Sequence, residues 1–221
     1  MGRRLRSSPI AVAGPATFSR PAAILIVAIV TFTAAIEWQM GRPFTYRQGP
    51  VRLWSGNVQS DQNSQQIADP YTFTHFEHGA IFYGLTWLVM RGASLGTRTA
   101  TAIAIEAAWE AYENTDAVIE RYRTETISLG YYGDSIVNSV ADIAACLVGF
   151  LLAWRLPTRL TVAWIVVIEV ILAFWIRDNL FLNILMLVRP LDAVRQWQMN
   201  AAVPRAGSYR SLSSVASIGG A

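Results

Sequence analysis

Two apolar segments set the architecture of this chain: TATAIAIEAAWEAYEN at residues 99–114 and DSIVNSVADIAACLVGFLLAW at residues 134–154. Six polar side chains recur in them at helical intervals: Glu106, Glu110, Glu113, Asp134, Asn138 and Asp142. A charged group at membrane depth is costly, so such residues face a bundle interior or a wet cavity. The pattern predicts an all-α fold, a multi-pass transmembrane helical bundle with a polar site inside it.

The composition favours a membrane protein over a soluble one. Hydrophobic residues make up 53% of the 221 and charged residues 15%, and the mean hydropathy is +0.32. Soluble domains carry about 25% charged residues. All 18 basic residues are Arg, and no basic run is long enough to indicate nucleic-acid binding. A single cysteine, Cys146, rules out an intrachain disulfide and a cysteine-based metal cluster.

The apolar runs predict about five membrane spans, since about 20 helical residues cross the hydrocarbon core. In chain order these are residues 21–40, 72–90, 99–119, 134–154 and 160–176. A cleaved signal peptide is the alternative interpretation of the first run, which also has a basic start.

The connecting segments have distinct compositions. Residues 41–71 form a hydrophilic loop rich in turn-forming residues, and residues 120–133 are predicted as a charged turn. Residues 180–188 are apolar but too short to cross, which is typical of a C-terminal interfacial helix.

The chain is predicted to have a short N-terminal segment (1–20), a single integral-membrane domain (21–200) and a disordered tail (201–221). Each short turn between spans carries two Arg, so the Arg content of the turns does not determine the orientation of the chain. The four Arg of the N-terminal segment predict that this segment lies in the cytoplasm, where basic residues are enriched. The loop at 41–71 is then external, and the polar side chains lie towards the outer side of the bilayer.

The glutamates of the third span have two interpretations. The structural interpretation is a set of buried ion pairs with Arg121, Arg123 or Arg177, or a helix that is only partly immersed in the membrane. The functional interpretation is a wall that handles protons or binds metal. His75 and His78 share a helix face and could ligate one metal ion together with a glutamate from that span. Two histidines alone are a weak signal for a metal site.

The polar face of the fourth span also has two interpretations. It includes Ala141, Ala145 and Gly149, small residues that permit close helix packing. Its carboxylates could instead serve acid–base chemistry in a cavity. Glu169, alone in the fifth span, is interpreted as the partner of a neighbouring helix.

The candidate site residues follow from these patterns. The acid–base candidates are Glu110, Glu113, Asp134 and Asp142; the substrate-binding candidates are Arg121, Arg123, Asn138 and Arg177; the candidate metal ligands are His75 and His78.

Two classes of function remain open. A non-catalytic envelope or assembly protein, or a small transporter with an acidic proton path, is favoured because no nucleophile or cofactor motif is visible; the cofactor is left open. A five-span transporter without an internal repeat would need to form a homo-oligomer. The alternative is a membrane-embedded enzyme that uses acid–base chemistry on a lipid-linked or envelope substrate. Both classes have the lipid bilayer as a partner, and neither has nucleic acid.

Several short motifs resemble an uncharacterised family of bacterial multi-pass inner-membrane proteins, found mainly in alphaproteobacteria. They are HFEHG at 75–79, FYGL at 82–85, EAAWE at 106–110, RYR at 121–123, YYGDS at 131–135 and RDNL at 177–180. The resemblance covers about residues 41–198 and implies an inner-membrane location, but no activity, because the family carries a domain of unknown function. Members often have a cysteine near residues 49–54, and its absence here puts a thiol role for that loop in doubt.

A weaker, fold-level likeness is to the VanZ-type membrane proteins linked to glycopeptide resistance. They too have a histidine near a helix start, then an acidic helix, then a helix with an Asp-x-x-x-Asn motif. This likeness is an analogy of fold alone.

Overall fold

The computed structural model describes residues 18–128 and 130–200, and these contain eight α-helices and no β-strand. The helices are α1 (Arg20–Gln39), α2 (Thr72–Val89), α3 (Leu95–Glu113), α4 (Asp116–Glu125), α5 (Ile136–Arg155), α6 (Thr158–Trp175), α7 (Leu180–Val188) and α8 (Asp192–Met199). The all-α prediction is confirmed. The predicted tail and nearly all of the predicted N-terminal segment lie outside the described residues.

Three helices, α1, α5 and α6, are long and apolar enough to cross a membrane. The helices at the other two predicted spans, α2 and α3, have 18 and 19 residues, which gives a length of about 27–29 Å. They are less apolar because they carry most of the buried ionisable side chains. Three of the five predicted spans therefore have the composition of a membrane span by themselves.

The predicted third span, residues 99–119, differs from α3 at both ends. The helix begins four residues earlier because the Ser94 hydroxyl accepts a hydrogen bond from the Thr97 N–H at 3.2 Å. It ends at Glu113, and Asn114 is its C-cap residue.

The prediction of a charged turn at 120–133 is wrong in its first part, which belongs to α4. This helix is charged on one side and buries Val118, Ile119 and Tyr122 on the other. These side chains pack against Tyr131. The narrow apolar stripe, interrupted by charges, explains why hydropathy did not reveal a helix.

The short apolar segment at 180–188 is confirmed as a helix, α7, with the predicted bounds. Its first turn is fixed by Glu169 of α6, whose carboxylate accepts hydrogen bonds from the Leu180 N–H at 2.8 Å and the Phe181 N–H at 3.3 Å. The prediction that Glu169 pairs with a neighbouring helix is therefore confirmed. The following helix, α8, was not predicted.

Helices α2 and α5 cross in direct backbone contact. A Cβ atom added to Gly79 would lie 2.0 Å from the carbonyl oxygen of Cys146, and one added to Gly149 would lie 1.9 Å from the carbonyl oxygen of Phe76. Both distances are far below van der Waals contact, so only glycine fits at either position. The predicted close packing through Gly149 is confirmed.

Helix α6 exposes most of its apolar surface. Thr161 and Leu172 are its buried residues, whereas Val162, Val166, Val170 and Phe174 are exposed. A continuous apolar surface of this kind is typical of contact with lipid or with another protein.

The polar residues lie at one end of the helices. At this end, the carbonyls of residues 43–44, which follow α1, accept hydrogen bonds from the first two N–H groups of α5. The loop between α1 and α2 covers this end: Gln65 Nε2 donates to the Gly133 carbonyl at 2.7 Å, and the Ser64 carbonyl accepts from the Ser135 N–H at 2.9 Å. The loop is therefore an ordered part of the site's surroundings.

Candidate functional site

The centre of the site is a buried cluster of histidines and glutamates between α2 and α3. His75 Nδ1 lies 2.7 Å from Glu106 Oε1, and His78 Nδ1 lies 2.9 Å from Glu106 Oε2. His75 Nδ1 also lies 3.0 Å from Glu110 Oε1. His75 and His78 are three residues apart on one face of α2, and this face packs against the face of α3 that carries Glu106 and Glu110. The Glu106 carboxylate contacts both imidazoles.

Several polar atoms around this cluster are buried without a hydrogen-bond partner. They are Glu110 Oε1, Asp142 Oδ1 and Asn138 Nδ2. Leaving such a group unsatisfied costs about 1–3 kcal/mol. Unsatisfied groups that converge in one region are typical of a site that a ligand completes.

A second network joins the end of α3 to the segment before α5. Asn114 Nδ2 donates to Asp134 Oδ2 at 2.8 Å, and the Asp134 N–H donates to Asn114 Oδ1 at 2.7 Å. The Tyr131 hydroxyl donates to Asp134 at 3.0 Å. This reciprocal pairing holds the Asp134 carboxylate at the edge of the site.

A third network fixes the segment between α6 and α7. The Tyr71 hydroxyl donates to Asp178 Oδ2 at 3.1 Å, and Gln198 Nε2 donates to Asp178 Oδ1 at 3.2 Å. Burial raises the pKa of Asp178 to about 6, although its hydrogen bonds act in the opposite direction. The Tyr122 hydroxyl donates to Asn183 at 3.2 Å and so links α4 to α7.

These networks surround a cleft with about 560 Å³ of empty space, counted to its open mouth. Its polar lining includes His75, His78, Glu113, Asp134, Asp142 and Tyr131. Glu110 is not among the residues that line the cleft, but its Oε1 lies 3.0 Å from His75 Nδ1. The structure thus brings the predicted carboxylates and histidines together, while Asn138 is buried beside them with its side-chain amide unpaired.

The three predicted substrate-binding arginines lie elsewhere. Arg121 donates to the Leu187 carbonyl, Arg123 forms an exposed pair with Glu120, and Arg177 donates to the Trp197 carbonyl. None of them pairs with Glu106, Glu110 or Glu113. The interpretation of these glutamates as ion-pair partners of the three arginines is therefore wrong. None lines the cleft either, because each is already bound on the outside of α4, α7 or α8.

Sequence reasoning named Glu106 only as a member of the glutamate face of the third span, and it did not name Asn114, Tyr131 or Tyr71 as site candidates. The spacing of Glu106 from Glu110 was a usable signal, since it places both on one helix face. Asn114 was visible only as a polar residue after an apolar run. The tyrosines lie in connecting segments and carried no spacing signal.

Comparison with known proteins defines the family. The family model described as "Protein of unknown function (DUF2585)" matches residues 37–200. The UPF0314 protein of Sinorhizobium fredii is 51% identical over 79% of this chain and 89% of its own. That of Rhizobium meliloti is 48% identical over 81% and 92%, and that of Paracoccus denitrificans is 48% identical over 82% and 95%.

No solved structure matches the chain, and the likeness to VanZ-type proteins stays a prediction. The relatives come from alphaproteobacteria, as the sequence motifs indicated. The chain therefore belongs to the UPF0314 family of alphaproteobacterial proteins, the family of the DUF2585 domain.

Proposed function

We propose that this protein is a multi-pass inner-membrane protein that binds an amphiphilic, lipid-linked molecule and acts on its polar headgroup by acid–base chemistry. The observation that carries the proposal is the continuity of an apolar groove with the polar cleft. The apolar surfaces of α1, α5 and α6 support the membrane location.

The apolar groove runs between α2, α3 and α7 and contains about 1090 Å³ of empty space, counted to its open side. Its lining is aliphatic and aromatic, with His78 as its one ionisable imidazole. Four residues line both the groove and the polar cleft: His78, Trp109, Leu180 and Ile184. A hydrocarbon chain in the groove would therefore bring its headgroup to His78 and the carboxylates beyond it.

The chemistry of the cleft favours a headgroup that donates hydrogen bonds. Glu113, Asp134 and Asp142 supply acceptor oxygens, and no arginine lines the cleft among the residues that the structure describes. Hydroxyl or ammonium groups suit such a lining, whereas phosphate recognition generally uses arginine or lysine. Carboxylates at the same surface are candidates for proton transfer to and from the bound headgroup.

A variant that blocks the apolar groove tests whether a hydrocarbon chain binds there. Ala108 lines the groove, and Ala108→Trp is expected to preserve the folded yield and to remove most of the amphiphile that copurifies in mild detergent. Ala163→Trp, on the exposed surface of α6, is the matched control and should keep it. Native mass spectrometry measures the bound molecule, and equal occupancy in both variants would contradict the proposal.

The two classes of function are separated by the bound molecule itself. If the cleft carries out acid–base chemistry, Asp142→Asn protein should accumulate an unmodified headgroup that differs from the one on wild-type protein. An identical headgroup in both proteins would instead favour the non-catalytic role in the envelope.

The orientation gives a separate prediction. The N-terminal Arg cluster motivates an N-terminus in the cytoplasm, which places the cleft at the outer face. Alkaline phosphatase fused at Ser60 should be active, and green fluorescent protein fused after Arg155 should be fluorescent. An inactive phosphatase at Ser60 would reverse the orientation.

A further inference from the structure

We propose that His75, His78, Glu106 and Glu110 form a binding site for one divalent transition-metal ion. One donor atom each from His75, His78 and Glu106 lie within 4.8 Å of one another. Donors in a shared first shell lie about 2.0–2.2 Å from the ion, so neighbouring donors are about 3 Å apart. The observed separations of 2.7 Å and 2.9 Å between the imidazole nitrogens and Glu106 oxygens are close to that spacing.

Glu110 supplies the second, independent observation. Its side chain is 1% exposed, and its Oε1 lies 3.0 Å from His75 Nδ1. His75 Nδ1 carries at most one proton and lies closer to Glu106 Oε1, at 2.7 Å, and Glu110 Oε1 has no other hydrogen-bond partner. A buried carboxylate oxygen that competes for one N–H is a natural fourth ligand, because a cation at the centre of the cluster satisfies both carboxylates at once.

The surroundings hold these side chains in place. The α2–α5 contact at Gly79 lies next to His78 in the chain and fixes the helix that carries both imidazoles. The rings of Phe82 and Trp109 pack around His78, with centroids 5.7 Å and 6.2 Å away. A rigid donor set with an apolar shell is what a metal site requires.

The donor set indicates the class of ion. Imidazole with carboxylate suits Zn²⁺, Fe²⁺ and Mn²⁺, whereas Mg²⁺ and Ca²⁺ prefer oxygen ligands alone and Cu⁺ prefers sulfur. His75 and His78 also line the cleft. The ion would therefore sit where a headgroup or a water molecule reaches it.

The test is Zn²⁺ binding to the full chain in detergent after treatment with a chelator. Calorimetric titration with Zn²⁺ alone should give one equivalent for the wild type, and Glu106→Gln should weaken binding at least about 100-fold. Glu113→Gln removes a carboxylate that lines the same cleft outside the donor set, so its effect on Zn²⁺ affinity should be much smaller than that of Glu106→Gln. If the Glu106 variant gives no folded protein, His78→Asn at the edge of the cluster serves the same purpose.

Co²⁺ provides a second measurement. A bound Co²⁺ ion should give visible absorption bands that disappear in the His78 variant and persist in Glu113→Gln. Absence of stoichiometric binding by the wild type, or equal binding by the Glu106 and Glu113 variants, would overturn the metal site. Both titrations measure the bound metal ion and not the amphiphile, so failure of the metal site and failure of the apolar groove are distinguishable results.

Discussion

Gly79→Ala and Gly149→Ala are each expected to abolish the folded protein. The added methyl group at Gly79 would lie 2.0 Å from the Cys146 carbonyl oxygen and 2.5 Å from the Phe150 nitrogen. Overpacking against side chains costs about 1–3 kcal/mol. Here the obstacle is backbone, which has no rotamer to adopt, so α2 and α5 must separate. With a typical stability of about 5–15 kcal/mol, such a separation removes most of the folded population.

Gly84→Ala is the matched control for this experiment. Gly84 lies in the same helix as Gly79, and a Cβ atom added to it would meet no other atom within 4 Å. Alanine is favoured over glycine in helices by about 1 kcal/mol, so this variant should be as stable as the wild type or more so. Folded yield after size-exclusion chromatography and thermal melting by circular dichroism compare the variants with the wild type. Wild-type melting of Gly79→Ala would disprove the backbone contact.

Asn114→Ala is expected to destabilise the protein by about 2–5 kcal/mol, since it leaves buried polar groups unpaired. The Asn114 side chain is fully buried and exchanges two hydrogen bonds with Asp134, of 2.8 Å and 2.7 Å. Its Nδ2 also donates to the Glu110 carbonyl at 3.1 Å. Truncation therefore leaves the buried Asp134 N–H without its acceptor, and the Asp134 carboxylate keeps the Tyr131 hydroxyl but loses the Asn114 amide as a side-chain donor.

The matched control is Asn57→Ala in the exposed loop between α1 and α2. Asn57 Oδ1 accepts one local hydrogen bond from the Gln59 N–H at 3.0 Å, so its loss should cost no more than about 1 kcal/mol. Denaturant melts monitored by circular dichroism give both values. Equal effects of the two substitutions would show that the Asn114–Asp134 pairing contributes nothing to stability.

The sequence was most informative about the long apolar helices. The bounds of α7 follow from its apolar run, and α1, α2, α5 and α6 lie within a few residues of their predictions. Helices α4 and α8 were not predicted because both are short and rich in charged or polar residues; α4 buries three side chains and α8 buries Gln198 alone. Hydropathy detects a continuous apolar surface, whereas helices this short depend on tertiary contacts for their stability.

The sequence predicted the region of the candidate site, but it did not predict which side chains of different helices contact each other there. Helical spacing placed Glu110 and Asp142 at the same end of the bundle, and the structure brings their surroundings together. The contact between His75 and Glu106 depends on the height and rotation at which α2 and α3 pack, which no spacing within either helix determines. The same holds for the arginines, whose partners depend on how the helices pack. Arg121 donates a hydrogen bond to the Leu187 carbonyl, and nothing in the sequence identifies that carbonyl as its neighbour.

The glycine contact between α2 and α5 also determines how far a solute could travel. It lies at the level of the histidines, since Phe76, which meets Gly149, lies between the two histidines in α2. Further along the bundle, Leu95, Ala102 and Phe150 pack together. A carrier that works by alternating access would have to separate the main chains of α2 and α5 and admit water to this apolar layer in every transport cycle. For the function proposed above, this apolar layer would close the base of the cleft, so that a bound molecule enters and leaves through the open mouth or along the apolar groove.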